Sequence, residues 1–411
     1  MSEWKKVKLG DYIDVLSGFA FKSKDFSDSG IPVIKIKNVC PPYISLEDLS
    51  YVPNSIAFQN PRYILRKGDV LIAMTGSHIN QIASVVGRVG RVRYDAITVL
   101  NQRVGKIVNK NEAKSSLDYI YYYLSQYEVK VELAQKAGGA ANQANISPSD
   151  IKNLLFPYPP IGIQHRIATI LSRYDSLIEN YQKQIKLLEE AAQRLYKEWF
   201  VDLRFPGHEN TNIIDGVPEG WEKKKLCEFT GITDGTHDSP KQVEIGLPLV
   251  TGRCIVDGNI DFSQAYNISE EDVIKINKRS AVEDGDILLS NIGTIGKVCR
   301  ISKSGNYAVK NMIIFKPHDA IHSCFLHRFL TDNNTQMDFL QQAAGTSQKF
   351  VSLSFIRNTL ILRPSDTILN LFYNHSEKYF NYVQSLQSQL RLLTEARDRL
   401  LPKLMSGEIE I

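Results

Sequence analysis

Beyond Pro157-Tyr-Pro-Pro160, apolar residues recur at Ile163, Ile167, Ile170, Tyr174, Leu177, Tyr181, Ile185, Leu188, Ala192, Leu195 and Trp199, in steps of three and four. A stripe at that period is the seam of a coiled-coil helix, here with one stutter. Moving 205 residues along the chain gives Ile368, Phe372, His375, Tyr379, Tyr382, Leu386, Leu390, Leu393, Arg397, Leu400 and Leu404, which is the same seam again. Each helix, at about 38 residues and 1.5 Å per residue, is about 57 Å long. Its stripe is too narrow to be buried alone, so the two helices are predicted to pair antiparallel with one another. Ile185, Leu188, Leu195, Leu390, Leu393 and Leu400 are the expected seam residues. His375 and Arg397 interrupt the second seam and either face solvent or set the register.

The repetition extends beyond the helices. The stretch from Gln143 to Leu195 matches that from Gln348 to Leu400 without a gap, with Ile151-Lys152-Asn153 over Ile356-Arg357-Asn358. Nearer each start the offset is 217, with Lys67-Gly-Asp-Val-Leu71 over Asp284-Gly-Asp-Ile-Leu288. Most of the extra residues of the first copy fall between Thr75 and Gly87. Ahead of each long helix, short β-like runs (Pro32–Ile36, Asp69–Ala73, Asp286–Ser290, Met312–Phe315) alternate with Gly, Pro and Asn turns. A helix is expected near 116–136, with a counterpart near 322–342. The predicted fold class is α+β: two similar globular domains, 1–160 and 205–363, joined by long antiparallel coiled-coil helices, 161–204 and 364–411, in a pseudo-two-fold repeat.

Composition narrows the chemistry. With 411 residues, 43% hydrophobic and 23% charged, the chain has the make-up of an ordinary globular protein. No apolar run approaches the roughly 20 residues that span a bilayer, and the amino terminus lacks the core of a secretory signal. A cytoplasmic protein with no membrane partner is therefore expected. Five scattered cysteines, without a C-x-x-C pair, argue against disulfides or structural zinc and for reduced, mostly buried thiols. The net charge of +4 is uneven: residues 1–160 carry 20 basic against 14 acidic side chains, and residues 208–364 carry 17 against 19. Nucleic-acid binding is permitted by that balance but not diagnosed by it.

No catalytic constellation or metal motif emerges. Gly293-x-x-Gly296-Lys297 lacks the first glycine and final Ser/Thr of a phosphate loop and reads as a tight turn. Glu128-Val-Lys130 has no upstream Pro-Asp and sits on a tyrosine-rich helical segment. Cys40-Pro-Pro-Tyr43 has the Pro-Pro-aromatic shape of an amino-methyltransferase motif, but a cysteine is a poor acceptor where Asn or Asp is needed. It reads as a proline-stiffened turn.

The most specific text stands at the helix ends. Arg194-Leu-Tyr-Lys-Glu-Trp-Phe-Val-Asp-Leu-Arg-Phe-Pro-Gly207, Val217-Pro-Glu-Gly-Trp221 and Arg399-Leu-Leu-Pro-Lys-Leu-Met-Ser-Gly-Glu-Ile-Glu410 resemble the conserved regions of type I restriction-modification specificity subunits. Asp234-Gly-Thr-His237, Gly246-Leu-Pro248 and the pair Gly68-Asp-Val70/Gly285-Asp-Ile287 add to the resemblance. It implies a non-catalytic subunit in which each globular half is a target recognition domain for one half of a bipartite double-stranded DNA site. The paired helices would set the spacer and dock two methyltransferase subunits, and two endonuclease/translocase subunits would then join. No cofactor is expected in this chain; S-adenosylmethionine, ATP and Mg belong with the partners. Expected DNA contacts are polar and basic turn residues: Thr75, Ser77, His78, Asn80, Gln81, Asn142 and Gln143 in the first domain, and His237, Lys241, Arg253, Asn291, Thr294, Lys297, Ser347, Gln348 and Lys349 in the second. Asn, Gln and Arg there can bond base edges bidentately, while Lys more often meets phosphate. Exposed charges beside the seam, such as Glu189, Glu190, Lys197 and Glu198, are either a methyltransferase interface or a solvated face. The alternatives are a coiled-coil scaffold, or an orphan methyltransferase targeting subunit without active restriction.

Overall fold

The stripe beyond Pro160 forms one uninterrupted helix, Ile161–Tyr196, in the computed structural model, which describes residues 4–77, 86–138, 144–345 and 349–411. Its repeat counterpart is the helix Asp366–Ser406, with Pro402 in its last turns. The chain divides into two compact units, residues 1–180 with 389–411, and residues 181–388. Each long helix therefore begins in one unit and ends in the other.

In the first unit a six-stranded sheet runs in the order Ile13–Ser17, Val104–Asn109, Val70–Ala73, Val89–Arg91, Tyr43–Ile44, Val39–Cys40. Beside it lies a four-stranded sheet, Ser50–Val52, Ile31–Ile34, Thr98–Leu100, Ile64–Leu65. The strand Val70–Ala73 is apolar throughout because both its faces are covered. Val70 and Ile72 point into a core with the helices Leu117–Leu124 and Tyr127–Lys136, whereas Leu71 and Ala73 point into a second core under the smaller sheet.

The second unit repeats this plan. Gly231–Asp234, Met312–Lys316, Ile287–Ser290 and Val298–Arg300 form a four-stranded sheet, and Tyr266–Ile268, Leu247–Val250 and Ala308–Val309 a three-stranded one. Ile287 and Leu289 face the helical core, and Leu288 the other. Equivalent glycines, Gly18 and Gly235, sit where two backbones nearly touch. A Cβ at either would lie 2.2 Å from the Asn101 carbonyl oxygen or 2.4 Å from that of Val309.

Two expectations need correction. The single helix near 116–136 is two helices, Leu117–Leu124 and Tyr127–Lys136, parted by the extended backbone of Gln126. Its counterpart is likewise split into Ala320–Thr331 and Asn333–Gln341 at Asp332, whose carboxylate accepts the N–H of Asn334. Apolar residues continue on both sides of each break, so periodicity alone does not reveal it.

The second correction concerns the seam. In the first long helix the buried line runs through Ile167, Leu171, Asp175 and Ile178, while Ile170 and Tyr174 are half-buried and Leu177 is exposed. In the second it runs through Phe372, Ser376, Phe380 and Val383, while His375 and Tyr382 are exposed. These lines correspond position for position at the offset of 205. Polar residues at buried positions, Asp175 and Ser376, hid the true line from a search for apolar spacing. Farther along, Ile185 is buried, and Leu188, Leu195, Leu390, Leu393 and Leu400 are half-buried.

Cys40-Pro-Pro-Tyr43 is the turn between Val39–Cys40 and Tyr43–Ile44, and the Cys40 thiol donates to the Lys37 carbonyl oxygen. All five cysteines are free, three of them buried. Among the described residues no helix is long and apolar enough to cross a membrane.

Candidate nucleic-acid interface

In each unit the fold brings together two chain segments that lie far apart in sequence. In the first unit Thr75–Gly76 pairs antiparallel with Ala144–Asn145, setting Thr75 opposite Asn145. The Thr75 hydroxyl donates to the Asn145 side-chain oxygen (2.7 Å), and Arg103 reaches both, at 3.3 Å to Thr75 and 3.2 Å to Asn145. Thr75 is buried, and Ser77 lies part-exposed at the end of the strand. His78, Asn80, Gln81, Asn142 and Gln143 lie outside the described residues.

The equivalent junction in the second unit joins Ile292 to Phe350 by an isolated bridge. Offsets of 217 and 205 carry Thr75 onto Ile292 and Asn145 onto Phe350, so the junction is shared while its side chains are not. The Gly293 N–H donates to the Lys349 carbonyl oxygen (2.9 Å), and the Asn291 side chain donates to the Val351 carbonyl oxygen (3.0 Å). Asn291 is buried and spends its amide within the fold. The Lys297 ammonium likewise donates to the Ile255 carbonyl oxygen (2.8 Å). Thr294, Arg253 and Lys349 are exposed, and neither cation has an ion-pair partner among the described residues. The turn bearing Arg253 approaches the junction closely: a Cβ on Gly252 would lie 2.9 Å from that of Ser290. Ser347 and Gln348 lie outside the described residues.

His237 occupies a different place. Its Nε2 lies 2.7 Å from the Asp234 carboxylate and its Nδ1 3.0 Å from the Asn311 side-chain oxygen. Arg279 holds Asp234 from the other side (3.5 Å). Residues Thr236–Pro240 form one wall of a groove of about 460 Å³, and Asp272, Lys275, Ile276, Arg279 and Ser280 form the other. Lys241, just past this wall, and Lys275 are cations without an ion-pair partner among the described residues.

Sequence reasoning missed Arg103, Asn145, Lys275 and Arg279. Arg103 could have been found from its place in the polar run Asn101-Gln-Arg103, which reads as a turn between two β-like runs. No sequence signal marks Lys275 or Arg279, which lie on an ordinary amphipathic helix, Glu270–Ser280. Among the described residues no His, Cys, Asp or Glu cluster could hold a metal ion. What lies at and beside the junctions is hydrogen-bonding and cationic side chains: Thr75, Asn145 and Arg103 in the first unit, and Thr294, Arg253 and Lys349 in the second.

Comparison with known proteins gives this geometry a context. Residues 1–190 match the family model described as the type I restriction modification DNA specificity domain. Over the whole chain the sequence is 26% identical to the type I restriction enzyme MjaIX specificity subunit of Methanocaldococcus jannaschii, covering 94% of that protein. It is 23% identical to the EcoBI specificity subunit of Escherichia coli across 99% of this chain and 86% of that one. The fold is similar to the crystal structure of the type I restriction-modification S subunit from M. genitalium, with a TM-score of 0.61, 16% identity, and coverage of 98% of this chain and 96% of that one.

Proposed function

The chain belongs to the specificity subunits of type I restriction-modification systems, and from that premise we propose that it reads a split double-stranded DNA target and directs methyltransferase subunits to it. The observation that carries this reading is the duplicated junction. One strand frame occurs twice and presents Thr75 and Asn145 in one copy, Ile292 and Phe350 in the other. Two unlike reading surfaces on one scaffold suit a target with two unlike halves. Arg103 and the 78–85 and 139–143 segments would read the first half-site, and Arg253, Thr294, Lys349 and the 346–348 segment the second. Lys241 and Lys275 would hold phosphate beside the His237 groove. With 17 basic against 19 acidic residues in 208–364, the second reader would draw part of its phosphate affinity from partner subunits. The chain itself performs no chemistry in this reading. S-adenosylmethionine, ATP and Mg would act in two methyltransferase and two endonuclease/translocase subunits, in the cytoplasm.

Docking of a partner in two copies has its own support. Leu187 and Tyr382 are 55% and 67% exposed on the second unit, and with Gln184, Leu188, Lys378, Tyr379 and Leu386 they line one apolar cleft. The offset of 205 carries this set onto Gln389, Leu392, Leu393, Arg173, Tyr174, Leu177 and Tyr181, and Leu392 is 57% exposed. Exposed leucine at the same repeat position twice is the surface that two copies of one subunit would use. Changing Leu187 and Leu392 together to Glu should remove the methyltransferase from purified complexes and leave the melting temperature unchanged. Undiminished capture would count against this surface.

The test of the whole reading is a map of N6-methyladenine in cells with and without this gene, the methyltransferase being present in both. One split motif should lose its methylation. If no motif changes, the chain reads no DNA and the scaffold reading replaces this one.

A further inference from the structure

Asp175 lies on the buried line of the first long helix, its side chain 3% exposed, and its carboxylate is a hub. The Arg397 guanidinium, from the second long helix, bonds one oxygen at 3.0 Å. The Tyr122 hydroxyl donates to the other at 2.7 Å, and Arg93 stands 3.6 Å away. Burial, reinforced by the neighbouring carboxylate, pushes the Tyr122 phenol far above its ordinary value, so this hydroxyl stays a donor. Arg93 also pairs with Glu179 (2.6 Å), one turn along the same helix.

The repeat makes this pair informative. Shifting by 205 carries Asp175 onto Phe380 and brings Ala192 onto Arg397. Phe380 and Ala192 are both buried in the second unit. One pair of equivalent positions is thus charged in the first unit and apolar in the second. Two helices descended from one ancestor face a choice that unrelated helices do not. Each can pair with the other, or each can pair with the same helix of a second chain, in the same antiparallel register. In the self-pairing of Ile161–Tyr196, Asp175 meets Ala192 and loses its closest cation. In the self-pairing of Asp366–Ser406, Arg397 meets Phe380 and loses its carboxylate. A buried polar partner removed from a coiled-coil seam is the kind of difference that selects partner and register.

We propose that the Asp175–Arg397 pair is a partner-selecting device: it makes each long helix choose the other helix of its own chain over the same helix of a second chain. The other buried positions of the two lines, Ile167, Leu171 and Ile178 in the first helix and Phe372, Ser376 and Val383 in the second, carry no charge in either copy. The inference rests on the repeat and the seam alone, so it stands whatever DNA the chain reads.

The test gives the first unit the residues of the second. Full-length protein carrying Asp175→Phe and Arg397→Ala has equivalent seams at both sites. Two differently tagged full-length chains are unfolded in urea, mixed, refolded and captured through one tag. Wild-type chains should show co-capture no higher than an untagged control. The double variant should show at least five-fold more, with a melting temperature within a few degrees of wild type, because replacing a buried ion pair by apolar residues is often neutral. Wild-type levels of co-capture in the folded variant, or ready exchange by the wild type, would overturn the proposal. If that variant fails to fold, Asp175→Asn with Arg397→Gln removes both charges while keeping polar side chains at both positions. It is read in the same assay, with increased co-capture again expected and its absence again decisive.

Discussion

Replacing Glu377 with Ala should destabilise the second unit by about 3–5 kcal/mol, the usual cost of breaking a buried ion pair from one side. Glu377 takes both ends of the Arg300 guanidinium, at 2.6 Å from Nη1 and 3.1 Å from Nη2. The Arg300 side chain is only 6% exposed, its Nε donates to Ser323 (2.9 Å), and its plane lies 4.4 Å over the Phe380 ring. Without the carboxylate, a buried cation keeps one neutral hydrogen bond and an aromatic face, and neither replaces the lost charge. The replacement Arg300→Met with Glu377→Leu should recover most of the loss, since it buries no charge at all. Urea unfolding of the full chain measures both variants, and a loss below about 1 kcal/mol for Glu377→Ala would mean that water reaches Arg300 and solvates it. The pair ties the strand Val298–Arg300 to the second long helix, and so fixes the second reader to its helix. Its counterpart in the first unit is built otherwise: Arg91, at the same strand position, pairs with Asp118 (2.7 Å) and stacks on Tyr121 (4.4 Å).

The repeat, the α+β class and the long helices were legible because each rests on a periodicity, and a strand buried on both faces, such as Val70–Ala73, announces itself as an apolar run. The exact seam was not legible. A search for apolar spacing selects Leu177 and Tyr382 and passes over Asp175 and Ser376, because it cannot tell that a charge will be buried once Arg397, Arg93 and Tyr122 converge on it. The helix break at Asp332 was hidden for a related reason. Its signal is a carboxylate that caps the following helix, and in the first copy the same break carries Gln126, whose side chain instead donates back to the Tyr123 carbonyl oxygen of the preceding helix.

The candidate site divides along similar lines. Choosing polar residues in turns named Thr75 on one arm of the first junction but not Asn145 opposite it, and named Asn291 and Lys349 beside the two arms of the second. It could not tell a side chain offered to solvent from one spent on the backbone. Asn291 and Lys297 each close a bond to a carbonyl of the chain itself, whereas the side chains of Arg253 and Lys349 close none among the described residues. That distinction depends on which carbonyl lies within reach, a tertiary fact without a local signature.

If the long helices set the spacing of the two half-sites, lengthening both by the same amount should change the spacer and nothing else. The place of insertion matters, because the helices are pinned within each unit: Asp175 to Arg397 in the first, and Tyr196 and Trp199 to Phe372 in the second, at 6.3 and 5.9 Å between ring centroids. An insertion at Ala191-Ala192 alone would slide Tyr196 and Trp199 past Phe372 and break that cluster. Matched insertions of four residues after Asn180 and after Ser388, where the chain passes from one unit to the other, leave both sets of contacts in register. Four helical residues add about 6 Å, equivalent to about two base pairs of duplex at roughly 3.4 Å each. The methylated motif should therefore keep both half-sites and gain about two unspecified positions between them, with the wild-type motif left unmethylated. Altered half-sites around an unchanged spacer would instead place the spacing in the recognition domains, and the long helices would then serve only to dock partners.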